Sequence, residues 1–333
     1  MSFDGSTTIE EFHSTLAQEI GCRETTNGFC LFSDDPIEKD LEHYLDPQAK
    51  LCDVISKWET ALREKGSGKF ENSRVIQLTY KNRLYWKHSI KLETDKEKLL
   101  LCYQINIQIV QGRFPLSRDL ALELASLMAQ IDICDFASTE KSRSTTSSTA
   151  TAAVSVSLQA LDKFYPYRYR DAMSPEQLKE LQDLLVAKWM LLKTRSTLDC
   201  VRIYLTCCRK WPYFGSALFQ AKPRHSDQAM AWLAISEDAL NVLELSSMAP
   251  IARYPYSSVM TFGGCQDDFM VVVSTDDTLQ ESNEQKLLFA MSKPKILEIT
   301  LLIADYMNAL GHTCPGTPQM NTLTRNGSHR SIR

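Results

Sequence analysis

The stretch LLCYQINIQIVQGRFPLSRDLALELASLMAQI, residues 100–131, decides the fold. Leu99 to Val110 reads as a helix. Gly112-Arg113-Phe114-Pro115 then breaks it, because glycine loosens the backbone and proline removes an N–H donor. Ser117 is placed to cap a second helix by accepting a free first-turn N–H. That helix carries Leu120, Leu124, Leu127 and Met128 on one face, at helical spacing. Two helices in close succession open an all-helical lobe, expected over residues 93–213.

Working toward the C-terminus, Ser138 to Ser157 is rich in Ser, Thr and Ala, with little to bury. It reads as a flexible loop inside the helical lobe, and its hydroxyls make phosphorylation chemically available. Ser174-Pro175-Glu176-Gln177 is a helix start with a serine cap, a proline in the first turn and Gln177 at the capping-box position. Thr197 to Cys208 predicts the last helix of the lobe, and Trp211-Pro212 ends it.

Residues 214–312 change pattern again. Ala231 to Ile235, Leu240 to Leu245, Phe269 to Val273 and Leu287 to Met291 read as strands. Met260-Thr261-Phe262 is expected to run into a turn at Gly263-Gly264. Pro294 then opens a helix to Leu310 with Ile296, Ile299, Ile303, Tyr306 and Leu310 on one face, closed by Gly311. Residues 313–333 lack apolar periodicity and read as a disordered tail.

Working toward the N-terminus, residues 1–92 read as a mixed α/β lobe. Thr7 and Glu10 fit a capping box, Ile9, Phe12, Leu16 and Ile20 fit one helix face, and Gly21 is the stop. Gly28 to Phe32 predicts a buried strand and Asp34-Asp35-Pro36 its turn. Leu51 to Leu62 predicts a second helix. Val75 to Tyr80 predicts another strand, with Leu84-Tyr85-Trp86 continuing a hairpin past Lys81-Asn82-Arg83. The order is therefore an α/β lobe, a helical lobe, and a β-sandwich capped by a helix.

Composition removes several function classes. The chain has 333 residues, 44% of them hydrophobic, and a net charge of −4. No long basic run offers a footprint for nucleic acid. No apolar run reaches the ~20 residues that span a bilayer. None of the ten cysteines falls in a CxxC pair, and they read as buried, reduced thiols of a cytosolic protein. Gly66-Ser67-Gly68-Lys69 hints at a phosphate loop, but Arg63 and Phe70 stand where that loop needs Gly and Ser or Thr. The six histidines show no zinc spacing. Cys207-Cys208, beside Arg209 and Lys210, reads as core packing rather than as a reactive thiol pair. Asp34-Asp35, Asp267-Asp268 and Asp276-Asp277 read as solvated turn residues rather than as acid–base pairs. No cofactor, metal or catalytic group is expected.

The residues also carry a resemblance. Tyr103-Gln104, Gln111 to Pro115 and Ala121 to Ala125 resemble the opening of the central lobe of FERM domains. Val201 to Leu205, followed by Trp211 to Gly215, resembles its close. Asp40 to Leu45, Cys52 to Glu59, Phe164-Tyr165-Pro166, Met248 to Ile251 and Thr261 to Gly264 resemble the C-terminal part of pleckstrin homology domain-containing family H proteins. Those proteins join a pleckstrin homology, a myosin-tail-homology and a FERM region. The resemblance covers residues 1 to about 312.

It implies an α+β, multi-lobe fold: a ubiquitin-like lobe over 1–92, an acyl-CoA-binding-protein-like helical lobe over 93–213, and a PH/PTB-like β-sandwich with a C-terminal helix over 214–312. The first strand of the ubiquitin-like lobe is expected to be missing, leaving Phe29 and Leu78 exposed beside an unpaired edge. Lys193-Thr194-Arg195 stands where many FERM domains place a glycine. Some relatives bind phosphoinositide through first-lobe lysines, whereas Asp40 to Asp46 is acidic.

The resemblance further implies a non-enzymatic scaffold at the cell cortex, linking cytoplasmic tails or adaptor peptides to the actin cytoskeleton. Its peptide groove lies between the fifth strand and the C-terminal helix of the third lobe. Carried onto this chain, the groove residues are Val259, Met260, Thr261, Phe262 and Gly263 on the strand and Ile303, Ala304 and Met307 on the helix. The alternative is attachment to an anionic membrane through Lys222, Arg224, Lys293 and Lys295, since each basic side chain adds about 1 kcal/mol beside anionic lipid.

Overall fold

A computed structural model describes residues 3–22, 28–39, 41–65, 74–136, 148–224, 230–275 and 283–311. The chain divides into two compact units. One is built from residues up to His88 together with those from Ser216 onward, and the other spans Ser89–Gly215.

In the first unit, helix α1 (Ile9–Ile20) starts at Thr8. The Thr8 hydroxyl accepts the Glu11 N–H at 3.2 Å, and the Glu11 carboxylate accepts the Thr8 N–H at 2.9 Å. The capping box thus lies one residue later than the sequence suggests. Thr7 instead donates its N–H and hydroxyl to Asp4 Oδ1, each at 3.0 Å. Gly21, at φ 81°, closes the helix by returning its N–H to Ala17 O.

Strands β1 (Phe29–Asp34), β2 (Glu42–Tyr44) and β3 (Leu78–Asn82) form an antiparallel sheet in the order β2-β1-β3. Helix α2 (Leu51–Lys65) lies between β2 and β3 in sequence. Ile9, Leu31, Leu45 and Leu51 make the core of this lobe, with Phe12, Leu16 and Leu78 packed around it. Phe29 is buried and Leu78 half-buried, so the expected exposure of both is corrected. Leu78 opens β3, and Val75 stands outside it, 74% exposed. The expected hairpin past Arg83 does not form. Leu84 and Trp86 pack instead against the core of the third lobe.

The second unit is helical: α3 (Asp95–Val110), α4 (Arg118–Asp132), α5 (Ser148–Phe164), the short α6 (Tyr167–Arg170), α7 (Pro175–Met190) and α8 (Thr197–Cys208). Thr94 with Glu97, and Ser174 with Gln177, form capping boxes, while Ser117 and Ser196 cap α4 and α8. Trp189, Tyr204, Tyr165 and Leu185 are fully buried. The Trp189 indole N–H donates to Cys134 O at 2.9 Å, which answers the polar end of a buried indole. Residues 148–157, expected as loop, open α5 instead. The helix is held where its C-terminal half buries Ala160, Leu161 and Phe164. Residues 138–147 of that segment lie outside the described residues. The Lys193-Thr194-Arg195 turn puts Thr194 at φ 68°, the left-handed region a glycine would prefer.

Back in the first unit, β4 (Ala217–Pro223), β5 (Ala231–Ile235), β6 (Ala239–Glu244), β7 (Pro250–Pro255), β8 (Val259–Cys265), β9 (Asp268–Thr275) and β10 (Asn283–Ala290) precede helix α9 (Lys293–Ala309). The strands are antiparallel in the order β7-β6-β5-β4-β10-β9-β8, and they form a β-sandwich. Its core joins Leu233, Ile235, Phe269 and Val271 to Ile299, Ile303 and Tyr306 of α9. Gly263-Gly264 is not the expected turn. Both glycines run on in β8, and the reversal comes at Gln266-Asp267.

Candidate functional site

β8 is an edge strand. Thr261, Phe262 and Gly263 pair with Val272, Val271 and Met270 of β9, with a register break between Val259 and Thr261. Among the described residues no strand pairs with its other side. Edge backbone of this kind is a template for an added strand. α9 lies close beside it. A Cβ built on Gly264 would sit 3.3 Å from Ile296 Cγ2, so glycine permits this approach.

The eight groove residues expected from sequence fall into two groups. Val259, Phe262, Ile303 and Met307 point into the sandwich core and are buried, so they are corrected from groove to core. Met260 is 36% exposed, and Thr261, Gly263 and Ala304 are half-buried. These four are the accessible remainder. The residue two before or after a buried one on a strand shares its face only while the pleat is regular. The register break at Met260 defeats that alternation.

The four basic residues do not form one free surface. Arg224 Nη2 lies 2.9 Å from Asp268, and Lys293 Nζ lies 3.3 Å from Asp267. Lys295 pairs with Glu38. Lys222 is exposed and, among the described residues, faces no carboxylate within ion-pair distance. Asp267 and Asp268 are therefore ion-pair partners at a turn, while Asp276 and Asp277 lie outside the described residues.

A second polar cluster was not legible in the sequence. The opposite side of α9 meets the first lobe. His43 Nδ1 lies 2.9 Å from Glu298 Oε1, and His43 Nε2 lies 2.8 Å from Asp35 Oδ2. The Tyr44 N–H donates to Glu298 Oε2 at 3.1 Å. Ser292 donates to Glu38 at 2.7 Å, and the Tyr85 N–H donates to the Tyr306 hydroxyl at 2.9 Å. Arg83 pairs with Asp305 and lies over the Tyr44 ring, 4.0 Å from its centroid.

Asp35, read from sequence as a solvated turn residue, is buried. Burial pushes its pKa up, but the His43 hydrogen bond and the N–H groups of Glu38 and Ile37 outweigh this and hold it below the ordinary value. One sequence signal was available. Glu298 is a lone acid among the apolar residues Ile296, Ile299 and Leu302, and a buried carboxylate requires a partner. Beside the cluster lies a cavity of about 570 Å³ lined by His43, Leu45, Val54, Trp58 and, from α9, Leu297.

Burial keeps three of the thiols in the protonated form. Burial pushes Cys30 up to about 11, and it raises Cys102 and Cys208 further. Cys134 is exposed, unlike the buried thiols expected. Among the described residues no group of His, Cys, Asp or Glu is arranged to hold a metal, and no helix is long and apolar enough to cross a membrane.

The comparisons agree with this architecture. Residues 87–219 match the FERM central domain, and residues 1–85 match an RA-like domain. The lobes have the FERM architecture: a ubiquitin-like lobe, a helical central lobe and an antiparallel β-sandwich with a C-terminal helix. The C-terminal MyTH4-FERM domain of human myosin 7b, solved in complex with a harmonin-a PDZ domain, aligns with a TM-score of 0.65 over 92% of this chain and 56% of that one, at 15% identity. The FERM and C-terminal domain complex of Drosophila Merlin aligns with a TM-score of 0.62 over 93% of each chain, at 13% identity. At the sequence level, the uncharacterized protein CG43867 of Drosophila melanogaster is 78% identical over 100% of this chain, which spans 18% of that relative's length. FERM domains are binding modules, and no enzyme family matches.

Proposed function

We propose that the chain is a non-enzymatic adaptor that docks extended peptide along the open edge of β8, joining a membrane-associated partner to the actin cytoskeleton. One observation carries the reading: β8 has a paired side and an open side, with Met260, Thr261 and Gly263 accessible on the strand and Ala304 on the neighbouring helix. An added strand draws affinity from backbone hydrogen bonds and selectivity from side-chain pockets. The peptide comes from a cytoplasmic tail or an adaptor, and the site of action is the cell cortex. The sequence resemblance to the C-terminal part of pleckstrin homology domain-containing family H proteins supports this role. The myosin 7b structure, with its bound PDZ domain, is a precedent for protein recognition by this architecture.

The test is binding of cytoplasmic-tail peptides by the intact chain and by Met260→Asp and Ala304→Trp. Met260→Asp alters an exposed side chain, while Ala304→Trp fills the groove at a residue that also packs against the core, so affinity falls at least about tenfold, or 1.4 kcal/mol, in both, with little change in the thermal stability of Met260→Asp. Unchanged affinity in both variants sinks the reading. The membrane alternative draws support from exposed Lys222, but Arg224, Lys293 and Lys295 are each engaged by a carboxylate. Liposome flotation that tracks phosphoinositide content, with no effect of the groove variants, would favour the membrane.

A further inference from the structure

His43 stands between two carboxylates on opposite sides of its ring, Asp35 at Nε2 and Glu298 at Nδ1. A neutral imidazole has one N–H and one lone pair, so it satisfies only one carboxylate and repels the other. Only the imidazolium donates from both nitrogens. Asp35 is a poor place for the missing proton, because its hydrogen bonds outweigh its burial and hold its pKa below the ordinary value. Asp35 Oδ1 already accepts the N–H groups of Ile37 at 2.7 Å and Glu38 at 2.6 Å, and Glu298 Oε2 accepts the Tyr44 N–H.

We propose that His43 is a proton-operated latch that, when charged, ties the first lobe to helix α9 of the third lobe and, on losing a proton, lets that contact loosen. This rests on the cluster alone and not on peptide docking at β8.

The surroundings favour a switch over a static ion pair. Asp35 and Glu298 are both buried, so a lost counter-charge is poorly replaced by water. Among the described residues, the other charges around this cluster are paired with one another or line the same cavity. Lys295, one turn before Glu298, is held by Glu38. Glu42 is held by Lys81. Arg83 and Asp305 pair with each other two turns along α9. At the end of β1, Asp34 faces Arg74 at 3.4 Å. Asp46, Lys50, Asp53 and Lys57 line the cavity beside the ring. On β1, the register partner of His43 is uncharged Ser33. The latch therefore acts through one titrating ring on a contact between two lobes, in the pH range where histidine charge changes. Leu297 lines the same cavity beside Glu298, so release of α9 also changes access to it.

The test is hydrogen exchange on the whole chain at about pH 5.5 and about pH 8.5, either side of the ordinary histidine value near 6.5, after correction for intrinsic rates. Protection of residues 42–44 and of the first turns of α9 falls about tenfold or more at the higher pH, and His43→Gln abolishes that pH dependence. Equal protection at both pH values, or the same fall in His43→Gln, overturns the proposal. If His43→Gln does not fold, ring-nitrogen NMR of the unaltered protein decides. Both nitrogens carry protons at pH values where a free histidine is largely neutral, and a neutral ring there refutes the latch.

Discussion

Arg83 and Asp305, separated by 222 positions in the chain, meet where the first lobe touches helix α9. The Arg83 side chain is 6% exposed and that of Asp305 is 40% exposed, so the pair lies at the margin of the contact. The guanidinium also covers the Tyr44 ring, which places charge pairing and flat stacking on one group.

Arg83→Lys keeps the charge and loses the planar stack. It destabilises the unit by about 1–3 kcal/mol, toward the upper end if the ammonium cannot reach Asp305. Urea unfolding of Arg83→Lys and Asp305→Asn, singly and together, separates the two contributions. A Lys variant as stable as the parent would show that stacking contributes nothing.

Asp35 makes the chain sensitive to acid. Its folded pKa lies below the ordinary 3.8, so the stability it contributes is present above about 3.8 and is lost as pH falls through the lower folded value. The stability gap between the parent and Asp35→Asn therefore narrows as pH drops from neutrality to about 3. A gap constant over that range in denaturant titrations would contradict the assignment.

Thr194 adopts a conformation that costs a β-branched residue roughly 1–2 kcal/mol relative to glycine. Its N–H also donates to Asp135 at 3.0 Å, a bond glycine retains. Thr194→Gly accordingly raises the melting temperature of the helical unit, despite glycine's greater freedom in the unfolded chain. Calorimetry reads the change directly, and a lower melting temperature would show that the threonine side chain is needed.

Gly28 has no room for a side chain. It sits at φ 134°, and an added Cβ would come within 2.3 Å of Leu84 O and 2.7 Å of Asn82 Nδ2. Gly28→Ala forces β1 away from the chain after β3 and destabilises the first lobe by about 2 kcal/mol or more. Circular dichroism melts give the size, and a neutral substitution would mean the backbone yields without loss.

Local chemistry was readable and long-range pairing was not. Ser117 and Ser174-Pro175 announced α4 and α7 because caps depend on residues three apart. Thr7 with Glu10 and Thr8 with Glu11 share that spacing, so sequence alone could not choose between them. β4 and β7 went unread. β7 begins and ends in proline, which masks a strand pattern. α5 was misread because its first half offers Ser, Thr and Ala, whereas its helix is secured by Ala160, Leu161 and Phe164 farther on. The edge position of β8 came through the family resemblance. The division of its residues into core and accessible faces needed coordinates, because the register break cancels simple alternation. His43 and Glu298 are 255 positions apart, and nothing near either names the other.

Helix α9 serves two neighbours at once, and this bears on how the molecule should be dissected. A fragment beginning at Ser216 would strip Glu298 of His43 and Asp305 of Arg83, leaving acids facing solvent where their counterparts belong. The workable seams lie at His88/Ser89 and Gly215/Ser216, where one compact unit gives way to the other. A bait trimmed to the sandwich alone would fish with an altered surface, so partner searches belong on a chain that keeps both of its ends.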